Sequence, residues 1–295
     1  MSADGNSPTS PVIGLSRCPL PDVEIAFDQA GPEDGELVIL LHGFPECRRA
    51  WRRQAAGLAA VGFRVVLPDQ RGYGLSSTPQ GTAAYDLDAL AGDVVGLARH
   101  LGHECFNLVG HDWGASVAWW LASQDPDRVR RLAVANAPHP AVWREAMGRD
   151  WRQALKSFYV RIMALPLLPE ALVRRGNFQA LADALAPAGL TPEELAEYRK
   201  EWAAPGAVTG MINWYRAFLA RRMPPAAGLA VEAPTLILWG DRDPYGVPEL
   251  ADSSARLCTN VRVEHFAEAG HWLHHEQADR VGEMLVEFLQ GRVAP

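Results

Sequence analysis

The residues best placed to do chemistry are Gly110-His111-Asp112-Trp113-Gly114, between an apolar run at Phe106 to Val109 and a helical stretch from Trp113 to Ser123. This is the frame G-x-Nu-x-G, in which a sharp strand-to-helix turn exposes one side chain. Glycines flank it because the strained central residue leaves no room for neighbouring Cβ atoms. A serine there would need a histidine to take its proton and would form an acyl enzyme. An aspartate needs no such activation. The Asp112 carboxylate can displace oxygen or halide from a saturated carbon and form an alkyl ester.

Such an ester must then be hydrolysed, which requires a base and an acid to orient it. Trp239-Gly240-Asp241-Arg242-Asp243 follows one strand-like run and Gly270-His271-Trp272 follows the next, giving the chain order nucleophile, acid, histidine. Of the nine histidines, His271 alone combines a preceding glycine with the loop after the final strand. His274 and His275 are expected to begin the terminal helix, and His100 and His103 to sit at a helix end. Spacing leaves Asp241 and Asp243 both open as the acid; we take Asp243 and give Asp241 a turn or capping role. The ester's oxyanion needs backbone donors. In this frame they come from the residue after the nucleophile, Trp113, and from the His42-Gly43-Phe44-Pro45 loop, through Phe44. His42 itself and the Arg71-Gly72-Tyr73-Gly74 loop are expected to be structural, and Glu46 a supporting contact.

The elements that must position these residues are legible as alternating patterns. Strand candidates are Val23 to Phe27, Leu37 to Leu41, Phe63 to Leu67, Phe106 to Val109, Leu132 to Ala135, Thr235 to Trp239 and Val261 to Phe266. Between or after them lie helix candidates at Ala50 to Val61, Ala83 to Leu101, Trp113 to Ser123 and His275 to Leu289. Apolar strands joined by crossover helices predict an α/β fold with a parallel sheet covered on both faces, and its sites lie at the carboxyl ends of the strands. From about Ala141 to Leu229 no strand pattern appears, and amphipathic stretches are punctuated by prolines. A structureless loop that long is implausible, so residues 141–229 are expected to form a helical cap inserted into a core made of 1–140 and 230–295.

Composition narrows the function classes. The 295 residues carry a net charge of −7, with only two lysines, Lys156 and Lys200, and no dense basic stripe, so neither nucleic acid nor an anionic membrane is the expected partner. The polar opening stretch has no cationic start or apolar h-region, and no apolar run approaches the roughly 20 residues of a spanning helix. Four scattered cysteines, Cys18, Cys47, Cys105 and Cys258, show no metal-ligand spacing. They read as reduced thiols of a cytoplasmic protein that needs no metal or cofactor. A homodimer through the cap surface is left open.

HGFPE, PDQRGYGLSS at Pro68 to Ser77, GHDWGA at Gly110 to Ala115, NWYR at Asn213 to Arg216 and GHW at Gly270 to Trp272 together resemble the α/β-hydrolase-fold epoxide hydrolases. The resemblance runs from about Ile25 to Leu289 and keeps order and spacing across five motifs. It implies the α/β-hydrolase fold, with a mostly parallel eight-stranded sheet flanked by helices and an inserted helical cap. It also implies a small-molecule epoxide and water as reactants, and two cap tyrosines that donate to the epoxide oxygen. Tyr215 matches the tyrosine of NWYR, and Tyr159, in Ser157-Phe158-Tyr159, matches the other more loosely. A haloalkane dehalogenase shares the Asp nucleophile and histidine, but Phe44 stands where that family commonly places a halide-binding Asn. A non-catalytic small-molecule-binding module of this fold is the alternative outside enzymology; the full Asp112, Asp243, His271 set argues against it.

Overall fold

The computed structural model describes residues 12–292, so the polar opening stretch 1–11 and residues 293–295 lie outside it. Eight strands form one sheet: β1 (Val12–Pro19), β2 (Glu24–Ala30), β3 (Leu37–Leu41), β4 (Arg64–Pro68), β5 (Phe106–His111), β6 (Val129–Ala135), β7 (Thr235–Gly240) and β8 (Val261–Phe266). Their spatial order is β1-β2-β4-β3-β5-β6-β7-β8; β2 pairs antiparallel with both β1 and β4, and every other neighbouring pair is parallel.

The central strands β3, β5 and β7 are buried along their whole length, as runs without polar alternation require when both faces are covered. The two-residue period divides them. Leu37, Ile39 and Leu41 face one layer of core, while Val38 and Leu40 face the other. The first layer is closed by α2 (Leu87–His100) and α3 (Trp113–Gln124); the second by α1 (Arg52–Ala60) and α12 (Ala278–Leu289), which pack against each other.

Between β6 and β7 the chain forms α4 (Pro140–Arg149), α5 (Trp151–Lys156), α6 (Phe158–Met163), α7 (Leu168–Leu185), α8 (Pro192–Trp202) and α9 (Ala207–Ala220), with no strand among these residues. Left-handed backbone at Gly176, Asn177 and Phe178 breaks α7 in the middle. Indole donors pin this layer to the loops at the strand ends: Trp202 to the Pro45 carbonyl at 2.8 Å and Trp214 to the Arg71 carbonyl at 3.1 Å. Two short helices complete the fold, α10 (Glu249–Ala255) and α11 (Leu273–Glu276).

Three expectations needed correction. The strand pattern gave no sign of β1, because Gly14, Leu15 and Arg17 are solvent-exposed at an antiparallel edge and need no apolar run. The helix expected over Ala83 to Leu101 is a short 3-10 turn followed by α2, divided at Asp86, whose carboxylate caps α2 by accepting from Asp88 N–H. His274 and His275 do not begin the terminal helix. They lie in α11, which Gln277 separates from α12. The four cysteines are free. No helix among the described residues is long and apolar enough to cross a membrane.

Candidate active site

Asp112 stands at the turn from β5 into α3 with φ 49° and ψ −120°, a strained conformation for a residue with a side chain. Its surroundings explain the glycines. A Cβ on Gly110 would lie 2.6 Å from the Ala115 backbone, and one on Gly114 2.5 Å from the carbonyls of Leu41 and His42. A Cβ on Gly43 would lie 2.5 Å from Asp112 Cβ, so the His42-Gly43-Phe44 loop can approach the carboxylate only because position 43 is bare. That approach lets Phe44 N–H donate to Asp112 Oδ1 at 2.9 Å. Trp113 is the first residue of α3, where an amide has no partner within its own helix.

The other carboxylate oxygen, Oδ2, faces His271 Nε2 at 3.6 Å, and His271 Nδ1 lies 2.8 Å from Asp243 Oδ2. Asp243 and His271 are almost fully buried, whereas the Asp112 side chain is 19% exposed, leaving it the member a reactant can reach. Asp243 is held from several directions. Asn136 Nδ2 donates to its Oδ2 at 2.8 Å, Tyr245 and Gly246 amides donate to its Oδ1, and Lys156 Nζ donates to its carbonyl at 2.7 Å. Asp241 instead pairs with His265 at 2.6 Å, away from His271.

These contacts set the charges. Burial raises the pKa of the Asp243 carboxyl, but His271 and the donors around it outweigh that and leave it below its usual value. Burial lowers the pKa of His271; the Asp243 carboxylate and then the Asp112 carboxylate push it the other way, up to about 9. At neutral pH His271 is therefore an imidazolium between two carboxylates.

Tyr215, from α9, packs its ring edge-on to Phe44 at 5.4 Å and to Trp113 at 5.0 Å; Tyr159, from α6, meets Tyr215 at 6.0 Å. Burial first, and then the charge of Asp112 among other groups, holds both phenols well above their usual pKa, so both are proton donors at neutral pH. A cavity of about 170 Å³ is lined by Phe44, Asp112, Tyr159, Tyr215 and His271, with an apolar wall that includes Met163, Val173 and Leu181. A second, smaller cavity of about 30 Å³ meets Asp112, Trp113, Tyr159, Asp243 and His271 from the other side. The structure thus brings all seven residues singled out from the sequence together: Phe44, Asp112, Trp113, Asp243 and His271 past the carboxyl ends of β3, β5, β7 and β8, and Tyr159 and Tyr215 from α6 and α9.

Several participants escaped the sequence. Tyr245 lines both cavities and lies edge-on to the His271 ring at 4.8 Å; its place two residues past Asp243 is the only clue the chain offers. Glu276 accepts from the amides of Gly270 and Trp272, at 2.8 and 3.1 Å, and so clamps the loop on both sides of His271. Behind the nucleophile, Glu46 lies fully buried, with Oε2 3.4 Å from His111 Nδ1 and 3.3 Å from His274 Nε2, and Oε1 2.6 Å from His275 Nε2. His111 Nε2 in turn lies 2.9 Å from the His271 carbonyl. Glu46, His111 and His274 could geometrically hold a metal ion. Of the three imidazole contacts to Glu46, only that of His275 with Oε1 is a hydrogen bond; Glu46 Oε2, His111 Nδ1 and His274 Nε2 face one another buried and without hydrogen-bond partners among the described residues. His42 is structural as expected: its Nε2 accepts from Gln70 N–H and its carbonyl from Gln70 Nε2.

Comparison with known proteins agrees with this architecture. The family model of the alpha/beta hydrolase fold matches residues 36–278, so the chain belongs to the α/β-hydrolase family. The AB hydrolase superfamily protein YfhM of Bacillus subtilis is 39% identical, covering 89% of this chain and 93% of that protein. Human Epoxide hydrolase 4 is 35% identical, covering 88% and 74% respectively. A Bacillus megaterium epoxide hydrolase solved with an inhibitor superposes with a TM-score of 0.85 at 29% identity, over 93% of this chain and all of that one. Within the family, this chain groups with the α/β-hydrolase-fold epoxide hydrolases.

Proposed function

We propose that the protein is an epoxide hydrolase that converts an epoxide and water to a vicinal diol through an ester on Asp112, under a cap formed by residues 141–229. The observation that carries this reading is the carboxylate's position, between two phenols kept protonated on one side and an imidazole on the other. Phe44 N–H occupies Oδ1, which leaves Oδ2 free to attack a ring carbon. The carbon–oxygen bond breaks, and the departing alkoxide takes a proton from Tyr159 or Tyr215. A halide would need no such proton, which separates this reading from dehalogenation.

Forming the ester removes the Asp112 charge. One of the two carboxylates that raise the His271 pKa is then gone, so the imidazolium gives up its proton more readily; that proton returns to the phenolate, restoring the tyrosine, and leaves His271 a base at the stage that needs one. His271 takes a proton from water, the hydroxide adds to Asp112 Cγ, and the oxyanion on Oδ1 is stabilised by the Phe44 and Trp113 amides. Collapse expels the diol oxygen, which receives the proton from His271. The Asp112 carboxylic acid then gives its proton to His271, restoring the resting carboxylate and imidazolium. Losing one such oxyanion donor in a comparable site costs about 3 to 4 kcal/mol. No step requires a metal or organic cofactor. The apolar wall of the larger cavity suits a hydrocarbon substituent on the epoxide, and the free thiols suit a reducing cytoplasm.

The test is His271→Gln with a panel of aryl and aliphatic epoxides and bromoalkanes. The variant should gain the mass of the epoxide at Asp112 and release no diol. Unmodified protein, or bromide release by the parent enzyme without diol formation, would reject the proposal.

A further inference from the structure

We propose that the outer face of α5, α6 and the start of α7 docks on an anionic lipid surface. Eight of the eleven exposed large hydrophobic side chains among the described residues fall within residues 151–172. Trp151 and Leu155 on α5, and Phe158 and Ile162 on α6, are each spaced by four positions, which keeps each pair on one side of its helix, and all four side chains are exposed. Leu167, 80% exposed, and Leu168 extend the patch across the turn into α7. Monomeric soluble proteins scatter such side chains singly and seldom gather them.

Charge identifies the occupant. Residues 151–175 carry Arg152, Lys156, Arg161, Arg174 and Arg175 against a single acid, Glu170, a local net of +4 in a chain of −7. Arg161, Arg174 and Arg175 are exposed and form no ion pair among the described residues. The whole-chain charge, which argues against an anionic membrane, conceals this segment. Tryptophan, phenylalanine and leucine on one side with arginine and lysine beside them is the composition of a helix lying in a bilayer interface. A second copy of the chain suits the face less well, because two-fold pairing would set two segments of +4 against each other.

The inner faces of the same helices carry Tyr159, Met163 and Val173 into the 170 Å³ cavity. Docking therefore brings the wall of an apolar pocket to the source of apolar solutes. Binding itself does not depend on what the site turns over.

The full chain should co-sediment with phosphatidylcholine vesicles containing phosphatidylglycerol and not with phosphatidylcholine alone. Phe158→Asp with Leu167→Asp should weaken binding at least about tenfold, since each removes a buried aliphatic or aromatic group from the interface. Replacing Arg174 or Arg175 by Ser should weaken it about fivefold each at low salt. Melting temperature measured without lipid separates lost docking from misfolding, and Trp151→Ser supplies a milder variant if the aspartates unfold the helix. Failure to co-sediment, equal binding to uncharged vesicles, or a lipid-free dimer that the same substitutions dissociate would each overturn the proposal.

Discussion

Two buried imidazoles three residues apart, His271 and His274, sit beside carboxylates and are driven in opposite directions. His271 lies between Asp243 and Asp112, and its pKa rises to about 9. His274 shares the single carboxylate of Glu46 with His111 and His275. Burial first, then repulsion from those two rings, drives its pKa well below the ordinary value despite Glu46. Burial lowers both and therefore does not explain the difference between them. The ratio of carboxylates to imidazoles does: two anions around one ring favour its cation, while one anion shared by three rings cannot keep His274 charged. The first arrangement stores a proton where a reaction can shift it. The second builds a rigid support under the nucleophile's loop.

The strongest way to break the contrast is to remove an anion from the first cluster. Asp112→Asn should lower diol formation by roughly 10⁴-fold or more, as loss of a nucleophile does elsewhere. It should also move the His271 titration seen by NMR below about 9; an unmoved titration would show that Asp112 contributes nothing to it. Asp243→Asn should slow ester hydrolysis by roughly 10² to 10⁴-fold while leaving alkylation of Asp112 detectable by mass spectrometry.

In the second cluster the effect should fall on stability. Glu46→Gln removes the only anion among three imidazoles, and weakening the charged hydrogen bond with His275 should cost about 2 kcal/mol in urea unfolding, with a smaller change in turnover than either aspartate variant. A larger loss of turnover than of stability would move Glu46 into the chemistry. The smallest effect is a slope with pH. Because the folded-state pKa of His271 is raised, its contribution to stability is complete below the unfolded value of 6.5 and is lost as pH rises through about 9. Stability should therefore decline across that window in the parent protein and decline less in Asp243→Asn.

The two clusters were not equally legible in the chain. Asp112, Asp243 and His271 each follow a strand inside a short glycine-marked loop, so their type and order revealed them. Glu46, His111, His274 and His275 come from three separate segments, and nothing local distinguishes a buried carboxylate facing three rings from an exposed one. The same holds for Asn136, which holds Asp243 through one hydrogen bond, and for Glu276, which holds the His271 loop through two. Tyr215 and Tyr159 were found through resemblance, since an aromatic at helical spacing looks the same whether it fills a core or faces a carboxylate. Strand β1 escaped because an exposed antiparallel edge needs no apolar run.

By itself the sequence determined the parallel sheet, the strained turn at Asp112 and the supply of groups able to form and clear an ester, because periodicity, glycines and residue type act locally. Only the tertiary structure decided which oxygen of Asp112 meets the Phe44 amide, how many carboxylates surround each imidazole, and which side of α5 and α6 faces the cavity or the solvent. Those are distances between segments far apart in the chain. Electrostatic energies and burial depend on those distances and not on the order of residues.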